Sequence, residues 1–458
     1  MSSRSCWGWS SEPCPGDGHD PEPSEGGAPD PSDLPGAARA GSTPARRCPD
    51  LDWPLRLRRY LLLAGLSMMG PLSIDTYLPA FPTIARDFHV QPSQIQVTLS
   101  ACMIGLAAGQ VLAGPLSDTI GRRLPLLIGM AGFTGGSLLC AFAPSPFPLT
   151  ALRLLQGLGG AAGIVIASAV VRDLYSGTAL ARFFSLLMLV SGLGPIVAPI
   201  VGGQLLRFTS WHGIFLGLAL VGLVLFVGSA RWLPETLPPE HRREGSLPRV
   251  LATFGSLLSA PDFLAPALAS GLATSVVFAY IAASPFVFQV LYGVSPQAFS
   301  LIFATNAFGV IVMSQINGRL VGRIQPHRLF VLGLIISGIG SLTLLLVVVH
   351  GHLPLLALAL PLFFIVSTVG LTSPNGNAMA LAGHPREAGS GAALLGLFRF
   401  GSGALVAPLV GLGGSHTALP MAVVMAGISL TAGLIFFFLG SGRWGGRGPV
   451  QALSSAPS

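Results

Sequence analysis

The sequence predicts an all-α integral membrane fold, with twelve transmembrane helices gathered in two six-helix bundles. Three observations carry this prediction. The 458 residues are 51% hydrophobic and only 9% charged, far below the roughly 25% charged residues of a soluble domain. That much apolar surface cannot be hidden in a water-soluble core. From about residue 57 onward, apolar runs of roughly 20 residues recur, the length a helix needs to cross a ~30 Å hydrocarbon layer. A single polar stretch divides these runs six and six.

Residues 1–52 are rich in Pro, Gly, Ser and acidic residues and contain no apolar run. They cannot offset their own ordering entropy and are expected to form a disordered cytoplasmic tail. No signal-peptide-like stretch precedes the first span, so no cleavage is expected. The first bundle, 53–232, holds spans at about 58–80, 94–116, 124–143, 149–171, 182–205 and 212–232. A linker at 233–262 follows, polar through Pro234, Glu235, Pro238, Pro239, Glu240, Arg242, Arg243, Glu244 and Arg249. The second bundle, 263–441, holds spans at about 263–288, 298–318, 328–349, 353–377, 389–411 and 417–440, and a short cytoplasmic tail, 442–458, ends the chain.

Arginine placement orients the spans, because positive loops stay in the cytoplasm. With the N-terminus inside, 17 arginines fall in cytoplasmic segments, among them Arg58, Arg59, Arg122, Arg123, Arg242 and Arg243, against only Arg86 and Arg207 outside. Both termini are therefore expected in the cytoplasm. The same asymmetry accounts for the net charge of +7 without a nucleic-acid partner. Cys6, Cys14 and Cys48 lie in the tail and Cys102 and Cys140 in apolar runs, with no disulfide framework or metal-ligand spacing. The chain has no lysine, which excludes a phosphate-binding GxxxxGK[ST] loop. Neither a cofactor nor a metal is expected, and energy must come from a gradient.

Charged side chains at bilayer depth are costly and face a bundle interior or a watery cavity. Three lie clearly within spans: Asp75, Arg153 and Arg399. Asp75 lies about six residues before the outer end of its span and Arg153 about four after the outer start of its own. At 1.5 Å per residue, both lie roughly 6–9 Å below the surface, a depth at which they can meet across the half-bundle. Dehydration and a nearby guanidinium act oppositely on a carboxylate's proton. Asp75 is accordingly the expected proton-coupling acid and Arg153 its modulator. A static ion pair tying the helices together is the alternative. Arg399 has no acidic residue near it in sequence, which leaves backbone carbonyls, a polar cavity or an anionic substrate group as its partner. Candidate cavity residues are Tyr77, Gln110, Gln156, Tyr280, Asn306, Asn375 and Arg399, since polar side chains in spans are tolerated where they line water or ligand. Interhelical hydrogen bonding is the alternative for each uncharged one.

The loop after the second span reads Gly114, Pro115, Leu116, Ser117, Asp118, Thr119, Ile120, Gly121, Arg122, Arg123. Gly121 permits a tight turn and Asp118 accepts charge-assisted hydrogen bonds. The spacing resembles the signature of the major facilitator superfamily, G-x-L-[AS]-D-x-x-G-R-[RK]. Arg153, Gln156 and Gly157 resemble the family's R-x-x-Q-G element, and Gly194, Pro195, Pro199, Gly202 and Gly203 its Gly/Pro-rich antiporter motif. Ser73–Ala80, Val171–Tyr175, Ser210–Phe215 and Leu233–Leu237 are similar to the Bcr/CflA branch of drug:proton antiporters. The resemblance covers about residues 55–440.

The resemblance implies the major facilitator fold, with substrate held between two pseudo-symmetric bundles that rock to alternate access. It implies a cytoplasmic gate at Asp118, Gly121, Arg122 and Arg123. Its second-half counterpart, Gly318 to Arg323, lacks the acidic residue. It further implies proton-coupled export of small hydrophobic compounds, such as bicyclomycin- or phenicol-like antibiotics, from a bacterial cytoplasm through the inner membrane. The protein is expected to act as a monomer, with protons, a small-molecule substrate and the lipid bilayer as partners, and not as an enzyme. An exporter of a small metabolite such as an amino acid is the alternative.

Overall fold

The computed structural model describes residues 53–242, 247–351, 354–414 and 417–444. The expected tail at 1–52 and nearly all of that at 442–458 lie outside the described residues. The described chain is helical. Only an isolated bridge between Val321 and Ile324 interrupts the pattern.

Eleven helices are long and apolar enough to cross a membrane, and a twelfth crossing is bent by 46° at Met68. This bent crossing comprises α1 (Trp53–Ser67), α2 (Met69–Asp75), a 3-10 turn (Leu78–Ala80) and α3 (Phe81–Asp87). The sequence predicts one continuous span at 58–80, whereas the structure breaks it on either side of Asp75. Pro71, Pro79 and Pro82 lack the amide hydrogen a helix interior needs. There follow α4 (Pro92–Ile120), α5 (Arg123–Cys140), α6 (Pro146–Leu174), α7 (Gly177–Phe208) and α8 (Trp211–Trp232). After the linker come α10 (Pro261–Phe286), α11 (Pro296–Leu320), α12 (Pro326–His350), α13 and α14 (Leu355–Ser367 and Val369–Ala382, one crossing), α15 (Ala388–Leu409) and α16 (Leu419–Trp444). Several helices outrun their predicted spans, α7 by five residues at its start and three at its end.

The expected polar linker contains a further helix, α9 (Leu247–Leu258). Phe254 and Leu257, three apart and so on one helical face, bury against Phe263 of α10 and Leu394 and Leu395 of α15. Twelve residues are too few to span a bilayer, which is why the apolar-run criterion passes over this segment.

Small residues set the closest helix contacts. A Cβ on Gly157 of α6 would strike the Cys102 carbonyl of α4, and one on Gly105 of α4 would strike the backbone of α6 at Leu154 and Leu158. Between membrane helices, where lipid is as apolar as the packing partner, such backbone approach is the main source of association. Within the first six crossings α4, α5 and α6 pack together, with α8 on α5. Within the last six, α10 packs on α14, α15 and α16, and α12 on α13, α14 and α16. Two extensive pairings join the sets, α4 with α15 and α7 with α11, with smaller contacts of α10 on α3, α4 and the Leu78–Ala80 turn and of α11 on that turn.

Candidate functional site

Arg153, on α6, is fully enclosed at 0% exposure. Its Nη2 donates to the Ser73 carbonyl of α2 at 2.7 Å and its Nη1 to Gln156 Oε1. Gln156 passes the chain on, donating to Ser137 Oγ of α5 at 2.7 Å. The guanidinium also lies 4.1 Å from the centroid of the Tyr77 ring, a cation–π contact. The carbonyl of Ser73 is available because α2 ends two residues later. Arg153 therefore fastens the broken crossing to α5 and α6. Tyr77, whose hydroxyl hydrogen-bonds Thr98 at 3.1 Å, and Gln156 are both consumed by this network.

The expected meeting of Asp75 with Arg153 does not occur: among the described residues no ion pair joins them. Asp75, 4% exposed at the end of α2, instead has Arg399 of α15 as the cation acting on it, and Arg399 has Asp75 as its acidic counterpart. The view of Arg399 as remote from any acid is corrected likewise. Sequence separation conceals the pairing, since α2 and α15 belong to different sets of six helices. The two groups lie beyond the 4.0 Å of a salt bridge. Among the described residues, neither side chain has a hydrogen-bond partner. Arg399 lies three residues from Gly396 and four from Gly403, the glycines that meet Gln110 and Met103 of α4. Its exposed surface therefore opens between the helices rather than toward lipid. Tyr280 of α10 also feels the Asp75 charge. Its hydroxyl accepts from Asn306 Nδ2 at 2.7 Å, and its ring stacks on Phe303 at 5.5 Å.

The Gly/Pro-rich stretch of α7 runs beside Asp75. A Cβ on Gly194 would meet Pro71, and one on Gly202 would collide with the carbonyl of Thr76, the residue after Asp75. Gly203 faces Ser300 of α11, and Gln297 Nε2 donates to the Gly203 carbonyl at 2.9 Å. Pro195 and Pro199 lie within the helix between these contacts.

At the arginine-rich end, Gly121 turns the chain at φ +99°, a conformation that favours glycine. The turn sends the Arg122 and Arg123 amides onto Glu235 at 2.8 and 3.1 Å. Arg122 pairs with Asp118 and, at 3.0 Å, with Asp173 of α6. It also donates to Ser117 Oγ at 2.8 Å. Partial burial works against ionisation of Glu235, but the amides of Leu237, Arg122, Arg123 and Thr236 outweigh it and hold the carboxyl below its usual range. Asp118, Gly121, Arg122 and Arg123 are thus brought together, and all their described bonds stay within the first six crossings and the start of the linker at Glu235. Asp173 and Glu235 complete the cluster. Sequence reading quoted Asp173 only within the resemblance and Glu235 there and as a polar linker residue, although a lone acid just past a span, with arginines in a neighbouring loop, is a signal for such pairing.

Gln110 lies between α4 and α15 against Gly396. Asn375 is engaged elsewhere, donating to Asn317 Oδ1 at 2.6 Å and to the Leu371 carbonyl at 2.8 Å. Sequence reading missed Gln96, whose Nε2 donates to the Ala282 carbonyl at 2.9 Å and whose amide meets Gly411, just past the end of α15. A glutamine near a span end looks like ordinary interfacial polarity.

Gln96, Gly203, Gln297, Ser300 and Gly411 gather at the end opposite Arg122, beneath a vestibule of about 810 Å³ lined by Thr83, Arg86, His89 and Gln289, and the seam of α4 with α15 continues from there through Met103 at Gly403 and Gln110 at Gly396. Toward the Arg122 end, α7 exposes Leu186, Met188 and Leu189 and α11 exposes Val312 and Ile316.

Comparison with known proteins agrees with this architecture. Residues 62–408 match the model of the Major Facilitator Superfamily. The chain is 41% identical over 393 residues to the MFS-type transporter YdgK of Bacillus subtilis, covering 85% of this chain and 97% of that one. It is 33% identical to the bicyclomycin resistance protein homolog of Haemophilus influenzae, covering 85% and 97%, and 30% identical to the chloramphenicol resistance protein of Pseudomonas aeruginosa, covering 87% and 95%. Among solved structures, the nucleoside transporter NupG superposes with a TM-score of 0.70 at 13% identity, covering 84% of this chain and 100% of that one.

Proposed function

Because the chain belongs to the major facilitator superfamily, a family of multi-pass membrane transporters, we propose that it exports small hydrophobic compounds, antibiotics among them, in exchange for protons. The relatives named for bicyclomycin and chloramphenicol resistance support this choice of substrate. Residues 53–232 and 263–441 act as two rocking bundles joined by the linker 233–262, and the protein works as a monomer in a bacterial inner membrane with both ends in the cytoplasm. It transports without catalysing a reaction.

One observation supports the mechanism above the others. A buried carboxylate on one bundle lies within electrostatic reach of an arginine on the other, Asp75 and Arg399, and among the described residues neither side chain has a hydrogen-bond partner. A carboxylate at bilayer depth is stable ionised only with a partner and stable neutral when it carries a proton. Rocking changes the separation of the two groups, so the protonation of Asp75 and the conformation are linked. Arg153 serves as scaffold for the α2 break rather than as the charge partner. The Asp118, Arg122, Asp173 and Glu235 cluster stiffens the gate end of the first bundle, and the α7 glycines let that helix pack tightly beside Asp75. Export of an amino acid is the second reading, favoured by the availability of Arg399 to hold a carboxylate.

The test is pH-gradient-driven efflux of an antibiotic panel from vesicles containing the wild-type protein or Asp75→Asn. Transport that collapses with the gradient in wild type and loses only its gradient-dependent component in the variant supports the assignment. Normal gradient-driven export by Asp75→Asn would make the acid structural.

A further inference from the structure

We infer that the vestibule opposite the Arg122 end binds a small organic anion, a carboxylate, sulfonate or phosphate head on a compact apolar body, and that such an anion inhibits transport by holding the two walls of the vestibule together. None of the embedded charges lines it, and only the side of the membrane it faces rests on the orientation proposed above.

The cavity holds about 810 Å³, within the range of small-molecule sites. One wall is α3 and the turn after it; the other is the end of α10, the turn that follows and the start of α11. The walls thus come from different sets of six crossings, and Phe81 and Phe286 join them, ring centroids 6.1 Å apart. Pro82, Val90, Phe286, Val290, Val294 and Pro296 give the cavity its apolar surface, and Thr83, Arg86, His89 and Gln289 its polar groups. These groups are short of acceptors. Among the described residues the Arg86 guanidinium, which carries five N–H donors, makes one long bond, to Thr83 Oγ1 at 3.5 Å, and pairs with no carboxylate. The Thr83 hydroxyl accepts there and keeps its own proton to donate. Gln289 Nε2 is buried without an acceptor, a costly state for an amide. Asp87, the acid of α3, is engaged by Trp211 of α8, whose Nε1 donates to its Oδ2 at 2.8 Å. Among the described residues no acid lines the cavity. A donor-rich, cationic lining suits an oxyanion and repels a cation.

The backbone is irregular on both walls. His89 takes φ +53°, uncommon outside glycine, where α3 ends with the Val90 amide donating to the Ala85 carbonyl at 3.0 Å. Gln289 lies in a π-helical turn, Val287–Leu291, closed by the Tyr292 amide on the Val287 carbonyl at 3.2 Å. Both kinds of irregularity gather at functional sites. A ligand that touches Arg86 and Gln289 together bridges the two sets of crossings, and it can do so only while the walls stand together. Differential affinity for one conformation is what shifts an equilibrium. The anion therefore lowers the maximal transport rate without competing with a substrate that enters at the Arg122 end.

The test uses the full chain. Binding of benzenesulfonate, benzyl alcohol and benzyltrimethylammonium is measured by calorimetry in detergent, where neither orientation nor coupling enters. The sulfonate should bind wild type at least about 10-fold tighter than the alcohol or the cation, the factor of one charge-assisted hydrogen bond. Arg86→Gln should lose that advantage and Gln289→Leu should weaken it about 5-fold. Arg207→Gln, at the same end but outside the cavity lining, should keep it. Spin labels at Phe208 of the first set and Leu412 of the last report the separation at this end. With Gln96→Ala and Gln297→Ala, which remove two bonds between the sets, the sulfonate should restore the short distance. In phosphatidylcholine vesicles with the Arg86 end facing the bath, external sulfonate should reduce the maximal rate of chloramphenicol efflux without raising KM, and sulfonate confined to the lumen should not. Added phosphatidylglycerol that slows wild type and not Arg86→Gln would place a lipid headgroup in the same site; without that effect the ligand is a solute. Equal affinity for the three probes, or equal losses in Arg86→Gln and Arg207→Gln, overturns the site. A sulfonate that binds but changes neither distance nor efflux overturns the inhibition. Binding and a restored distance without any chloramphenicol efflux would sustain the site and count against the proposed function instead.

Discussion

Replacing Gln96 and Gln297 together with alanine opens the end of the molecule opposite the arginine-rich loops. Gln96 Nε2 reaches from α4 to the Ala282 carbonyl of α10, and Gln297 Nε2 from α11 to the Gly203 carbonyl of α7, each at 2.9 Å. Both bonds run between the first six crossings and the last six, so they exist only while that end is shut. Side-chain hydrogen bonds between membrane helices average about 0.6 kcal/mol and reach about 1.7 kcal/mol. Both carbonyls lie inside helices and keep their helical amide partners, so nothing is left unpaired by the truncation and the lower part of that range applies. Two bonds at the lower end shift the closed-to-open ratio by roughly 10-fold. Spin labels at Phe208 and Leu412, 85% and 74% exposed at the outer ends of α7 and just past α15, report the separation by pulsed dipolar spectroscopy. The double variant should populate a longer distance that wild type lacks. An unchanged distribution in a folded double variant, or an equal shift from Gln315→Ala on the exposed face of α11, would refute the reasoning.

Other expectations follow from the same geometry. Arg153→Lys keeps the charge but cannot serve Ser73 and Gln156 as a planar fork does; a loss of about 2–4 kcal/mol is expected for a buried network left half-bonded, read as a lower unfolding temperature in detergent. Gly202→Val drives a side chain into the Thr76 carbonyl and should cut transport more than about 10-fold with insertion unimpaired, whereas Gly192→Ala, which meets nothing within 4 Å, should transport normally. Glu235→Gln should lower stability at neutral pH by no more than about 1 kcal/mol, because the carboxylate is exposed. Since the native fold holds Glu235 below its ordinary 4.5, its contribution is present above that value and lost as pH falls through the lowered one. Wild-type and variant melting curves should therefore converge in acid, draw apart as pH rises toward 4.5 and keep a constant separation above it.

The twelve crossings were legible because hydropathy and length suffice to find a membrane helix. The break in the first crossing was not, since Pro71, Pro79 and Pro82 lie in a run apolar enough to pass as continuous. The α9 helix escaped because Phe254 and Leu257 satisfy a helical period over too short a length to span. Of the site, Asp75, Arg153 and Arg399 were identifiable as embedded charges, and the loop at Asp118–Arg123 by its spacing. Their partners were not. Depth along a helix places Asp75 and Arg153 at the same level, but rotation about the helix axis decides what each faces, and hydropathy is blind to rotation in a helix apolar all round. Arg153 consequently serves the Ser73 carbonyl and Gln156, and the cation that acts on Asp75 belongs to α15.

Adjacent glycines on α7 connect this pair to the closed end. Gly202 rests on the carbonyl of Thr76, the residue that follows Asp75, and Gly203 accepts from Gln297 and abuts Ser300 on the other set of six crossings. Any movement of α2 that changes the distance from Asp75 to Arg399 must also move Thr76, and Thr76 cannot move against Gly202 without displacing the neighbouring residue from its contact with α11. Packed backbone in van der Waals contact has few intermediate arrangements, so a shift of α2 against α7 is passed to the contact with α11 with little slack. At the opposite end the Arg122 cluster binds only the first six crossings and the start of the linker at Glu235, and so adds no tie to the last six. On the coupling proposed above, a change in the protonation of Asp75 therefore acts first on the end held by Gln96 and Gln297.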